Sequence, residues 1–185
     1  MNIFYLSANQ RECAMLHNDK HCVKMILEYA QLLSTAHRIL DGVETTILTD
    51  KLKWKKVWKL KNELGVNLYS ATHINHPSAI WVRQSTWNYV WLSRMLYELC
   101  VEYTFRYGKI HKVERDGLME ALLNTPVSIP LGVPFTEPPQ CMPDEYKVDG
   151  NSIQAYKNYY IGDKQKLANW KVRGKPDWYV MGDTV

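Results

Sequence analysis

No run of apolar residues in this sequence approaches the ~20 that a membrane-spanning helix needs, so no membrane partner is expected. Its four cysteines, Cys13, Cys22, Cys100 and Cys141, are scattered and form no CxxC pair. They read as free thiols of a reducing compartment. No secretory leader is visible, because Met1-Asn2-Ile3-Phe4 leads straight into polar residues. A cytoplasmic protein is therefore expected. The glycine loops of Walker A and GxGxxG are missing, as are the GxSxG elbow and the kinase set, so the commonest phosphate-loop and serine-hydrolase chemistries have no carrier here. Phenylalanine is scarce too, with three residues against seven Trp and twelve Tyr. That skew favours rings with a polar handle, which suit interfaces and base stacking as well as cores.

What is present fits one domain, or one domain with a substantial tail. The chain has 185 residues, 46% hydrophobic and 23% charged, enough to bury a sizeable core. A net charge of +4 permits a polyanionic partner without requiring one.

Along the chain, "NIFYLS" is a short apolar run, a strand or an extended anchor. Asn9 and Glu12 form a capping pair for a helix from about Gln10 to Leu16. Asn18-Asp19 interrupts it, with Asp19 as the expected cap of a second helix that runs to Leu40 and stops at Asp41-Gly42. Val23, Leu27, Ala30, Leu33 and Leu40 are its expected core face. "TDKLKWKKVWKLKNELG" reads as a basic helix, with six lysines between Lys51 and Lys61 and with Trp54 and Trp58 one turn apart. Pro77 opens about thirty residues of helical pattern with a break near Ser85-Thr86, and a further helix covers Val113 to Asn124. Six of the eight prolines then fall between Pro126 and Pro143, which predicts an irregular arm. "SIQAYKNYYIGDKQKLANW" restores short aromatic helices. The expected division is a helical core at 1–125, the arm at 126–150 and a C-terminal segment at 151–185 that packs on the core.

Several constellations could carry chemistry. On a continuous helix His17, His21, Lys24 and Glu28 share one face, with Lys20 beside them. Cations with one carboxylate can bind a phosphate and supply an acid or base; a solvated polar face is the plainer reading. His73, Asn75 and His76 precede the Pro77 helix, where an N-terminus attracts anions, and Arg83 follows; His76 or Asn75 as a simple cap is the alternative. The pairs His17/His21 and His73/His76 have chelating spacing, but no third ligand is evident, and no metal or other cofactor is expected. The lysine-rich segment and the aromatic, basic tail each suit either a nucleic-acid surface or a folded core with wet lysines.

"MNIFYLSANQRECAMLHNDKHCVKMILEYAQLLSTAHRILDG", the helix "WNYVWLSRMLYELCVEYTFRYGK" and the terminal "KPDWYV" together resemble a widespread group of bacteriophage proteins. That group is in turn similar to the small pyrimidine-dimer DNA glycosylases of the endonuclease V type. The lysine-rich segment and the proline arm look like additions. The resemblance implies a mainly α, single compact helical domain of the pyrimidine-dimer-glycosylase type, with a proline-rich arm and an aromatic C-terminal tail. It implies a bacterial host cytoplasm, duplex DNA as partner and attack on the N-glycosidic bond by a freed N-terminal amine. In such enzymes a glutamate within Arg-Glu-x-x-Arg stabilises the developing charge. The motif maps onto Lys20-His21-x-x-Lys24, so basic flanks remain and His21 stands at the glutamate position. Asn2 also departs from the small second residue that removal of an initiator Met generally needs. His21 and Glu28 are thus the candidate catalytic residues. Lys20, Lys24, Arg83, His17, His73 and His76 are the candidate phosphate or DNA contacts, and Trp81 and Trp87 the candidate stacking walls for a flipped base. The alternative is a non-enzymatic binder of a nucleotide ligand or nucleotide second messenger.

Overall fold

The computed structural model describes residues 1–61 and 68–182, with side chains as far as Tyr179. The rest of the segment expected to be helical as far as Gly65, and the last three residues of the C-terminal segment, lie outside the described residues. The fold is mostly helical. Its elements are α1 (Gln10–Leu16), α2 (Asp19–Asp41), β1 (Val43–Leu48), β2 (Trp54–Lys59), α3 (Pro77–Gln84), α4 (Thr86–Tyr107), α5 (Lys112–Arg115), α6 (Leu118–Ala121), α7 (Ser152–Gly162) and α8 (Asp177–Gly182). Among the described residues no helix is long and apolar enough to cross a membrane.

Ile3, Phe4, Tyr5 and Leu6 are all buried, and the segment is extended without a strand partner. Side chains take over the polar work of a ladder. The Phe4 amide donates to Tyr29 Oη at 3.0 Å, and the Leu6 amide lies 3.3 Å from Cys13 Sγ. An unbroken apolar run results because every side is covered.

Asn9 caps α1, accepting from the Glu12 amide. The cap of α2 is Asn18, whose Oδ1 accepts from the His21 amide at 2.8 Å; the expected cap, Asp19, is the first helical residue. The α2 core face also differs from the expected one. Ala30 and Leu33 are buried, but Val23 and Leu27 are exposed, because the helix turns Cys22, Met25, Ile26, Tyr29 and Ala36 inward. Counting apolar residues misplaced the face by about one position, since His21 belongs to the buried side.

The largest departure is in the lysine-rich segment, where Trp54–Lys59 is a strand. β1 and β2 form an antiparallel hairpin with Val43 opposite Lys59 and Leu48 opposite Trp54. A spacing of four places Trp54 and Trp58 on one face in a helix and in a strand alike. β-branched residues in β1 favour the hairpin, while Leu52 in the connection takes φ 55, a conformation that leucine rarely adopts. Its root is held by the Arg38 guanidinium, which donates to the carbonyls of Trp58, Leu68 and Tyr69.

Ser85 separates α3 from α4 as expected, accepting from the Trp87 amide and donating to the Val133 carbonyl at 2.7 Å. The helix expected from Val113 to Asn124 is two short pieces, parted at Gly117 with φ 77. The proline arm is a strap. Asp41 accepts from the Val127 and Ser128 amides, Asn88 and Trp81 bond Thr136, and Tyr156 donates to the Pro139 carbonyl.

Arg106 on α4 joins the parts. Its guanidinium bonds Glu102 Oε1 at 2.6 Å, the carbonyls of His17 and Met15 at 2.9 Å each, and Asp19 Oδ1 at 3.1 Å. Arg173 from the tail adds two bonds to Glu102. Replacing Arg106 with Met removes the cation while leaving a buried carboxylate and two open carbonyls. We expect a loss of about 3–5 kcal/mol, read as a lower urea midpoint with an unchanged m-value.

Candidate functional site

A cavity of about 230 Å³ lies where the N-terminal segment, the first turns of α2 and the tail meet. Met1, Asn2, Phe4, His21, Lys24, Met25, Glu28, Tyr159, Lys164 and Leu167 line it. Three of its polar groups come from one helix face, because residues at i, i+3 and i+7 superimpose. Lys24 pairs with Glu28 at 3.0 Å. From the opposite wall Lys164 stands 4.3 Å from the centre of the Tyr159 ring and 2.7 Å from Asp163. Burial pulls the Lys164 ammonium down, but its bonds to Asp163 and Tyr159 outweigh this and hold it above its usual value. Two cations and one carboxylate thus face a small space floored by aromatic rings.

His21 sits between this cavity and the core. Its ring stacks on Phe4, with centroids 4.2 Å apart. Asn18 uses Oδ1 as the α2 cap, which turns Nδ2 toward His21 Nδ1 at 3.5 Å; the Tyr160 hydroxyl reaches the same nitrogen at 2.7 Å. An amide NH₂ can only donate. Nδ1 is therefore an acceptor, and Nε2 carries the proton. Burial first, then His17, Lys24, Lys164 and Lys20, push the His21 pKa down to about 3. At neutral pH His21 is a neutral imidazole that donates through Nε2.

His17 is a support beneath the site, not a contact. It closes α1 and is fully buried. Nδ1 donates to the Cys13 carbonyl at 2.7 Å, so Nε2 accepts from the Tyr29 hydroxyl at 3.3 Å. Burial lowers its pKa to about 4. The expected face of four residues is thereby reduced to three, because the turn at Asn18 takes His17 off α2. Trp81 is likewise removed as a stacking wall. It is only 4% exposed, and its indole nitrogen is engaged by Thr136.

The other candidates disperse. Lys20 is exposed, near enough to bias His21 but outside the cavity lining. Arg83 donates to the Ala79 carbonyl of its own helix. Trp87 is exposed on α4. His73 has φ 49 and bonds the Thr72 hydroxyl. His76 caps α3, accepting from the Ser78 amide. It also borders a second, larger cavity of about 570 Å³ with Pro77, Pro139, Gln140, Cys141, Met142, Pro143, Lys147 and Tyr159. The two cavities share Tyr159 as a wall. Asn2 donates to the Cys141 carbonyl across the same boundary.

Phe4, Tyr159 and Lys164 were the site residues that helix periodicity did not single out. The signal for the last two was the tail's mixture of tyrosine and lysine, which here serves both readings at once. Tyr156 and Tyr160 fill the core, while Tyr159 and Lys164 complete the cavity. Among the described residues, no group of three or more His, Cys, Asp or Glu is placed to hold a metal ion.

His17 and His21 bind protons more weakly in the folded chain than in the unfolded one, where the ordinary value is 6.5. Their burial stabilises fully above that pH. As the pH falls further, each costs up to about 1.4 kcal/mol per pH unit until its folded pKa is reached. His37, His76 and His111 are shifted the same way. Stability measured by urea unfolding is therefore expected to decline steadily between about pH 6 and pH 4.5. In His21→Phe, which keeps a ring against Phe4, that slope is expected to be shallower by about 1 kcal/mol per pH unit.

Compared with known proteins, the chain matches no family model, no curated protein and no solved structure.

Proposed function

We propose that this protein acts on DNA through a fold of the pyrimidine-dimer-glycosylase type, and that the cavity between α2 and the tail receives one nucleotide extruded from a duplex. The observation that carries this reading is the placement of Lys24, Lys164 and Glu28 around one aromatic-floored space. A flipped nucleotide brings a phosphate, a sugar and a planar base together. The lysines suit the phosphate, and the rims of the Phe4 and Tyr159 rings add apolar lining. The adjoining cavity beyond Tyr159 has the volume and the apolar proline lining for a base.

Within this reading Glu28 is the reactive carboxylate. It takes a proton from a water molecule as the water oxygen bonds to C1′ of the sugar. The N-glycosidic bond breaks, its electron pair leaves with the base, and Glu28 returns the proton to the base nitrogen. The products are the free base and an abasic sugar bearing a 1′-hydroxyl, so atoms and charge balance. His21, neutral and held with Nε2–H, donates a hydrogen bond into the site. Lys24 positions Glu28 as well as phosphate.

A second reading, a nucleotide or nucleotide second-messenger binder without catalysis, is favoured by the small volume of the cationic cavity. The two separate in one set of measurements on ultraviolet-irradiated and base-modified duplexes. The enzyme reading expects free base, with Glu28→Gln slower by at least about 100-fold while duplex affinity stays within about 3-fold. It expects Lys164→Gln to weaken binding. Tight calorimetric binding of a free nucleotide, with no base released and no duplex affinity, would instead establish the binder.

A further inference from the structure

The hairpin β1–β2 has a composition that the core does not explain. Lys51, Lys53, Lys55, Lys56, Lys59 and Lys61 are all exposed. From Val43 to Lys61 only Glu44 and Asp50 oppose them, and Glu44 is taken by Lys56 at 2.7 Å. Among the described residues the other five lysines make no ion pair. The register divides the ribbon into two faces. Val43, Thr45, Ile47, Lys55, Val57 and Lys59 share one. Glu44, Thr46, Leu48, Trp54, Lys56 and Trp58 share the other.

Toward the connection the ribbon becomes apolar as well as basic. Leu52 is 79% exposed and Trp54 is 73% exposed, with Leu48 directly opposite Trp54. A tryptophan ring and two leucines in water, ringed by cations, match a partner that is anionic outside and partly apolar within. The major groove of a duplex has that arrangement, with thymine methyls on the base edges between two phosphate walls. A two-stranded antiparallel ribbon also has the cross-section that a major groove admits. Lysines on both faces and at the tip can then reach both phosphate walls. Lys55 and Lys59 also border a small cavity of about 100 Å³ together with Trp58 and Ser70.

We propose that the β1–β2 hairpin is a duplex-DNA-binding ribbon, separate from the cavity, with its lysines on phosphates and Leu52 and Trp54 against the bases. The ribbon extends the reading of the protein as DNA-directed, but its own evidence is independent of Glu28 and the cavity. Its binding is sequence-tolerant and salt-dependent, because phosphate contacts release counterions.

The test uses the full chain and an undamaged 20-base-pair duplex, with Kd measured by anisotropy across salt concentrations. Lys55→Gln/Lys59→Gln is expected to make the slope of log affinity against log salt shallower by about 2, near 0.9 for each lost phosphate contact. Lys109→Gln/Lys112→Gln has the same net charge and alters exposed residues elsewhere; it is expected to leave the slope nearly unchanged. Trp54→Ala is expected to weaken binding about 10-fold at every salt concentration, through loss of its apolar contact with the base edges, with the slope retained. All five positions are exposed, so the three variants should retain their circular dichroism. Equal effects from the two double variants would assign the change to net charge and overturn the proposal. So would an unchanged slope in Lys55→Gln/Lys59→Gln, an unchanged affinity in Trp54→Ala, or capture of an acidic protein with no duplex affinity. If base release is absent while the hairpin variants still lose duplex affinity, the cavity reading fails and the ribbon stands. If Glu28→Gln blocks base release while the hairpin variants bind normally, the reverse holds.

Discussion

A guanidinium with almost no access to water, Arg106, is the point on which the rest of the chain closes. Burying a cation costs several kcal/mol unless its donors are met. Here they meet one carboxylate on the same helix, another at the start of α2 and two carbonyls around the α1–α2 turn. Burial pushes the Glu102 carboxyl up, yet hydrogen bonds from Arg173 and Arg106 outweigh it and hold the group below its ordinary range. The consequence is geometric. The turn that delivers Asn18 and His21 is fixed to α4, and the tail that delivers Trp170 and Tyr179 to the core is fixed to the same carboxylate. Both ends of the sequence are thereby brought to one place.

That closure explains why the cavity draws on residues so distant in the chain. Phe4 comes from an extended segment with no strand partner, Lys24 and Glu28 from α2, and Tyr159 and Lys164 from the tail. Beneath them runs a chain of oriented hydrogen bonds from the Phe4 amide through Tyr29 to His17, and from Tyr160 to His21. The Cys13 carbonyl sets the tautomer of His17, and the Asn18 amide that of His21. Two histidines that look like titrating groups in the sequence are thus neutral struts, and the mobile charge is left to the lysines and Glu28.

Local punctuation was legible in the sequence, and long-range satisfaction was not. Asn9, Gly42, Pro77 and Ser85 mark helix ends by their own chemistry, so those boundaries followed directly. His17 leaves the expected face because a two-residue turn at His17-Asn18 resets the helical register. The hairpin was misread because Trp54 and Trp58 fit both periods. The alternation of Lys51, Lys53, Lys55, Lys59 and Lys61 with Leu52, Trp54, Trp58 and Leu60 was the period-two signal that decides the matter. Of the proposed site, His21, Lys24 and Glu28 were readable from helical spacing. Phe4, Tyr159 and Lys164 were not, since only tertiary folding sets them beside α2.

The length of α2 has a meaning beyond packing. Lys24 stands near its start, and Arg38, which grips the hairpin, near its end. Fourteen residues of helix set them about 20 Å apart along the axis, the length of roughly six stacked base pairs. An α-helix of this kind is a stiff ruler. It fixes the spacing between cavity and ribbon and also their angular phase, since each added residue would turn one about 100° relative to the other. In the proposed reading the partner duplex is itself a screw, whose pitch as well as distance two footholds must match, and α2 sets both.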